Sequence, residues 1–416
     1  MKRPLFVLLL LAIIAVPLQL PAQAVSKVSL YVDGLALKTD VPPVIYNSRV
    51  LVPFRSAAEA LNAYVEYDPA SKTIVAQRSG TTVKLQVNSK TAYLNSQAVA
   101  LDAPPLMSGG RALIPMRFFG EAFGCTVEWD SVNDSVNIFS PAKTMQVTGF
   151  YALGDSNTSS WTNLFGAAYP QSAAGNTGKV STLALGWYSL DANGELITDS
   201  SSGWRKPDGW ENVLTAGQEY GLKTEMVVQL TDKGGILSSL LADNAASSTA
   251  IDDIAAEAQD YDGVNLDFEG LGWNDTEAAQ QIVKQNLNSF ASRLSAQLDA
   301  RSLELTLTLH PPNSAYKGYD YAGLGKAADQ IIIMAYDYGQ KPEPVNLVTQ
   351  AVKMAVAEVP AQKLLLGINA VGETPDSLET KIGLAKQYNL KGIALWRLGL
   401  LTTEMWNTLG RTVTAQ

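Results

Sequence analysis

The chain has 416 residues, 46% hydrophobic and 17% charged, with a formal net charge of −9; that length allows two domains or a barrel with an attachment, and that charge argues against nucleic acid or anionic membrane as a partner. One cysteine, Cys125, excludes an internal disulfide and a cysteine-clustered zinc site, and one histidine, His310, leaves no histidine-based metal centre. Gly-x-Ser-x-Gly elbows and Walker loops are missing, and the loose dinucleotide pattern Gly323–Ala328 precedes a strand instead of following one, so no cofactor and no metal are expected.

Lys2 and Arg3 lead the apolar run Leu5–Val16, and Ala22-Gln23-Ala24 offers a small-x-small cleavage site. Residues 1–24 read as a signal peptide; a retained anchor is the other reading, but the run is short for a membrane span and Pro17 interrupts it. The expected product is secreted or wall-associated, off the membrane and monomeric, with a charge of 29−40, or −11, once Lys2 and Arg3 are gone.

Residues 25–141 contain a tandem duplication. Leu51-Val52-Pro53-Phe54-Arg55 returns as Leu113-Ile114-Pro115-Met116-Arg117, an offset of 115−53, or 62. The same offset relates Arg49 to Arg111, Glu59 to Glu121, and Val65-Glu66-Tyr67-Asp68 to Val127-Glu128-Trp129-Asp130. Short strands are predicted at Val28–Val32 and Thr73–Gln77, and a helix over Arg55–Leu61. The unit resembles the copper amine oxidase N-terminal-like, or stalk, domain. It holds no histidine, so the resemblance does not bring copper with it, and a spacer role is favoured over specific wall binding.

Beyond a short link, residues 145–416 alternate strands with helices. The predicted strands are Val147–Ala152, Thr182–Tyr188, Thr224–Leu230, Gly263–Glu269, Leu303–Leu309, Ile331–Tyr336, Leu364–Ile368 and Gly392–Trp396, apolar runs of the kind buried on both faces. Val283, Leu287, Phe290, Leu294 and Leu298 mark one face of a helix between the fourth and fifth. The fold class expected is α/β: a (β/α)8 TIM barrel behind an α+β duplicated stalk.

The fourth strand ends in acids. Side chains alternate along a strand, so Asn265, Asp267 and Glu269 share one face while Val264, Leu266 and Phe268 take the other. Two like charges on one face hold a proton between them, which makes a general acid. Spacing alone equally admits a salt-bridged or cation-capped strand end.

Asp262-Gly263-x-x-x-Asp267-x-Glu269 resembles the signature of glycoside hydrolase family 18, the chitinase-like barrels. Gly149-Phe150-Tyr151, Tyr319–Asp329 with Met334–Asp337, and Gly392–Trp396 are similar to that family's first, sixth and last strands, so the resemblance covers about residues 145 to 410. It implies that Glu269 protonates the glycosidic oxygen and that the substrate's own 2-acetamido oxygen attacks the anomeric carbon. It also implies that Asp267 grips the acetamido N–H, that Tyr336 donates to its oxygen, and that Trp396, Asp337 and Tyr151 line the sugar site. Asp262 and Gly263 are then structural. Asn265 stands where many chitinases carry a further aspartate; it is expected to orient Asp267 without competing for its proton, and to be among the substrate-binding residues. His310 reads as a loop-packing or outer-subsite residue. Residues 369–391 hold a single helix, so the cleft is expected to be open and shallow.

The resemblance is strongest to peptidoglycan and spore-cortex lytic N-acetylglucosaminidases, which implies an N-acetylglucosamine-containing polysaccharide as partner. Chitin hydrolysis, a non-hydrolytic sugar-binding wall protein, and a barrel serving only as scaffold for the stalk remain alternatives.

Overall fold

Eight parallel strands close on themselves: β1 (Lys143–Tyr151), β2 (Thr182–Leu190), β3 (Lys223–Thr231), β4 (Gly263–Glu269), β5 (Glu304–Leu309), β6 (Gln330–Ile333), β7 (Leu364–Asn369) and β8 (Gly392–Trp396). Thr148 of β1 lies opposite Thr182 of β2 on one side and Ala394 of β8 on the other, which completes the ring. The computed structural model describes residues 28–152, 159–200 and 205–416; the expected targeting segment lies outside them.

The (β/α)8 barrel and its β-rich N-terminal domain follow the expected architecture, with the sixth strand ending three residues earlier than predicted. β6 stops at Ile333 and does not reach Tyr336. Ala335 N–H donates to the Ile333 carbonyl at 2.8 Å and Tyr336 N–H to that of Met334 at 2.9 Å, and these tight turns lift the chain off the ladder.

Strands buried on both faces serve two cores. Outward, Val264, Leu266 and Phe268 of β4 pack beneath the helix Glu277–Asp299, whose buried Val283, Leu287, Phe290, Leu294 and Leu298 are the predicted stripe. Thr276 starts that helix by accepting a hydrogen bond from Ala279 N–H. Inward, the barrel is filled and divided by polarity. Phe150, Ala184, Val227, Ile332, Leu365 and Ala394 form the apolar part, while Glu225, Asn265, Thr306, Thr308 and Gln330, all buried, form the polar part. Between β7 and β8 the chain makes one helix, Pro375–Gln387, capped by Thr374 and Ser377.

In the stalk the two copies are interlaced. Strand Arg49–Pro53 pairs antiparallel with its own equivalent, Arg111–Pro115, and Val52 faces Ile114, the residue 114−52, or 62, positions later. Strand Ser29–Val32 of the first copy runs parallel to Ser135–Phe139 of the second. Two ion pairs cross between copies: Arg49 with Asp102 at 2.7 Å, and Arg111 with Asp40 at 2.5 Å. Cys125 is buried, where a small apolar side chain suits the core.

The stalk is docked on the barrel at the end where β1 and β8 begin, away from the ends of β4 and β8. A Cβ on Gly383 of the helix Pro375–Gln387 would stand 2.6 Å from Asp33 Cβ, so only glycine lets the stalk approach this closely. Asn62 Nδ2 donates to the Lys386 carbonyl at 3.1 Å, and Lys386 Nζ to Ser140 Oγ at 3.0 Å and the Pro141 carbonyl at 3.2 Å.

Candidate active site

Strand register aims the acids. On β4, Asp267 lies beside Gln229 of β3 and Thr308 of β5, and Glu269 lies beside Thr231 of β3. At the other end of β4, Thr224 N–H donates to Asp262 Oδ2 at 2.7 Å, and a Cβ on Gly263 would stand 2.6 Å from the Glu304 carbonyl oxygen. Asp262 and Gly263 therefore anchor and admit the strand without reaching the end that carries Asp267 and Glu269. Beyond Glu269, Tyr319 fixes the exit of β4, its hydroxyl donating to the Phe268 carbonyl at 2.8 Å.

Asp267 is buried, and burial followed by the charge of Glu269 holds its carboxyl well above the usual range. Its Oδ1 has no hydrogen-bond partner among the described residues, so it is poised to accept from an arriving donor. Glu269 is half-buried; burial and then Asp337 raise its carboxyl, against a hydrogen bond with Gln229. Burial, with Asp267, Glu269 and Asp337 nearby, pushes the Tyr336 hydroxyl well up, keeping it a donor. Gly367 makes room for that ring: a Cβ there would lie 3.2 Å from Tyr336 Cε1.

The remaining predicted residues take unequal places. Trp396 is half-buried and meets Phe150 edge-on at 5.1 Å, floored by the apolar part of the barrel interior. Asp337 is exposed beside Lys341 at 3.3 Å. Tyr151 is fully buried in the shell between strands and helices, and meets the site only across a void of about 10 Å³ that it borders with Asp267 and Trp396; it offers no open face to a sugar. Asn265 needs correction. It is 0% exposed, beyond reach of substrate, with its Nδ2 donating to Glu225 Oε2 at 2.9 Å and its Oδ1 accepting from Thr308 at 2.8 Å. Neighbouring strands occupy its amide, so it supports the layer under Asp267 instead of touching a ligand.

Three features escaped the sequence reading. Glu225, on β3, is the hub of the buried polar layer and accepts from Asn265, Thr306 and Gln330; a lone acid ahead of the apolar Met226-Val227-Val228 was its signal. Glu343 is buried and receives Asp337 N–H at 2.8 Å and Tyr338 N–H at 3.1 Å, fixing the loop after Tyr336. At the rim, Trp273 is 52% exposed and packs on Tyr316 at 5.1 Å, and Tyr316 stacks on His310 at 3.9 Å. Burial takes the His310 pKa down to about 4, so it is neutral at pH 7. Among the described residues no group of three or more His, Cys, Asp or Glu side chains is arranged to hold a metal ion.

The site thus presents a buried acid with a free oxygen, a second acid above it whose carboxyl is held above the ordinary range, a phenol just past β6 and an indole at the end of β8. The sequence model for glycosyl hydrolases family 18 matches residues 155–374. The chain belongs to that family. Ahead of the family 18 barrel, the model for the copper amine oxidase N-terminal domain matches residues 31–138. The cortical fragment-lytic enzyme of Bacillus subtilis (strain 168) is 23% identical over 239 residues, 40% of this chain and 54% of that protein. The chain spans about half the length of the curated relatives it matches. Two solved structures share the fold. The chitinase from Chromobacterium violaceum ATCC 12472 has a TM-score of 0.53 at 20% identity, over 64% of this chain and 98% of that one. The spore cortex-lytic enzyme SleL of Bacillus megaterium QM B1551 has a TM-score of 0.53 at 18% identity, over 76% and 80%.

Proposed function

We propose that the chain is a secreted retaining glycosidase that cleaves β-linked N-acetylglucosamine in peptidoglycan or a related wall polymer. The observation that carries this reading is the stacking of two acids on one strand, Asp267 buried with a free Oδ1 and Glu269 above it with a raised pKa. Two carboxylates on the same side of a sugar cannot serve as acid and opposite-face nucleophile, which favours a nucleophile supplied by the substrate. Glu269 gives its proton to the glycosidic oxygen as the bond to the anomeric carbon breaks, and the acetamido oxygen closes onto that carbon. Asp267 takes the acetamido N–H and balances the positive ring, and Tyr336 donates to the acetamido oxygen. A water then loses its proton to Glu269, attacks the anomeric carbon from the face that the leaving group left, and opens the ring with retention.

A wall polymer is supported by the likeness to a cortical fragment-lytic enzyme and by the exposed Trp273 beside Tyr316, an aromatic surface beyond the acids suited to a long glycan. Export is supported by the basic, apolar and small-residue pattern of residues 1–24. The test is incubation with purified sacculi and with chitin, followed by mass spectrometry of what is released. N-acetylglucosamine at new reducing ends from sacculi is the expected result. Release from chitin alone would make the chain a chitinase, and binding to either without release would make it a lectin.

A further inference from the structure

The stalk and the barrel enclose a cleft of about 690 Å³ at their junction, remote from the acids on β4. In a chain of net charge −9 the cleft carries cations: Arg78 from the stalk, Lys143 at the start of β1, and Lys386 from the helix Pro375–Gln387 all line it. Asp33 is the acid among the lining residues, and it is already engaged. Its Oδ1 accepts from Ser140 N–H at 2.7 Å and its Oδ2 from Ser140 Oγ at 2.5 Å, leaving Lys386 Nζ at 3.8 Å. Glu379, the other acid felt by Lys386, is ion-paired with Arg411 at 2.5 Å.

Lys386 is held by Ser140 and Pro141, but the other two cations are short of partners. Arg78 Nη1 is buried with no hydrogen-bond partner among the described residues, and Lys143 Nζ has the neutral Asn389 Oδ1, at 2.8 Å. Burial lowers the pKa of Lys143, and the charges of Arg78 and Lys386 lower it further. Burial is also the first cause lowering Lys386. Like charges gathered in a partly dry cleft favour an anion between them. Three cations against Asp33 leave an excess of two positive charges. A phosphate group of about −1.5 to −2 matches that excess, where one carboxylate leaves it half met.

We propose that this junction is a binding site for a phosphate group, held by Arg78 and Lys143 with Lys386 behind them. Tyr64, 68% exposed among the lining residues, offers a ring to whatever carries the phosphate. The proposal does not rest on the glycosidase reading, because none of these residues belongs to the site on β4.

The test is calorimetric titration of the full chain with inorganic phosphate at low ionic strength, with acetate and chloride as parallel titrants. Saturable phosphate binding at one site is expected, and Lys143→Gln lowers its affinity about tenfold or more, the loss of one hydrogen bond to a charged group. Arg78→Gln does the same. Lys143 is half-buried, so its variant keeps the test open if the Arg78 variant fails to fold. Phosphate binding no tighter than acetate or chloride overturns the proposal, as does phosphate binding that survives Lys143→Gln unchanged.

Discussion

Asn265 gives its side-chain amide to Glu225, at 2.9 Å, on the strand beside its own. Glu225 also accepts from Thr306 at 2.7 Å and Gln330 at 2.8 Å, so one buried carboxyl on β3 ties in β4, β5 and β6 directly beneath the layer that holds Asp267. Glu225→Ala leaves three buried donors unmatched. At about 1–3 kcal/mol for each unsatisfied group, a loss of several kcal/mol is expected in a urea melt, with kcat falling as the layer under Asp267 loosens. A melt within about 0.5 kcal/mol of wild type, the range of an inconsequential surface change, would show that the layer does not depend on Glu225.

Glu269→Gln keeps the shape of the side chain and removes its proton. Hydrolysis should fall by about 10²–10⁴-fold, the worth of a positioned general acid, while sugar binding stays within a few-fold. Kinetics and equilibrium binding on the same preparation separate the two, and undiminished turnover removes Glu269 from its role.

Asp337 sets part of the pH dependence. Burial first, and then Asp337, hold the Glu269 carboxyl above the ordinary range. On the proposed role of Glu269 as acid, activity needs that proton, so the alkaline limb falls as pH climbs through the raised pKa. Asp337→Asn removes one of the raising charges, and the alkaline limb of kcat/KM should move to lower pH. Stability follows the same sign. Unfolded aspartates and glutamates ionise near about 4, whereas folded Asp267 and Glu269 ionise higher. The pair costs nothing below the unfolded values, and its cost grows as pH rises toward the folded ones. A pH–rate profile in which the limb stays in place sets the Asp337 contribution to zero.

Trp273→Ala should raise KM on polymeric glycan by about 2–13-fold, equivalent to the roughly 0.5–1.5 kcal/mol of an aromatic contact, and leave kcat on a short soluble substrate alone. Equal KM values on polymer would mean that the Trp273–Tyr316 surface lies off the glycan's path.

Removing residues 25–140 takes away Asp33 and Ser140, and uncovers Gly383 and Lys386. The barrel retains β1 whole, since that strand begins at Lys143. Turnover on small soluble oligosaccharides should be unchanged while the melting temperature falls by a few degrees, about 2–4 °C for each kcal/mol lost in a domain of this size. Scanning calorimetry with a soluble-substrate assay checks both halves of that expectation.

The barrel was readable in the sequence because each strand is an apolar run and the long helix carries its stripe at the right period; the acids were readable because side chains alternate strictly along β4. The duplication came from self-similarity alone. Other features depend on partners distant in the chain. Asn265 looked like a neighbour of Asp267 because both lie on one face, and Glu225, 40 residues earlier, claims its amide instead. The early end of β6 depends on backbone turns between residues of no marked turn preference. A local pattern also gives no sign that Gly383 lets Asp33 approach, since the two lie 383−33, or 350, residues apart.

The facing of Val52 and Ile114 has a further meaning for the stalk. Each of its outer sheets draws strands from both copies: Ser29–Val32 joins Ser135–Phe139, and Thr81–Gln86 joins Thr91–Leu94. Neither copy owns a finished sheet or a closed core, and the crossing ion pairs use one charge from each. The duplication is in effect a dimer whose two subunits were joined end to end, so half of it on its own would be an open edge in search of a second half.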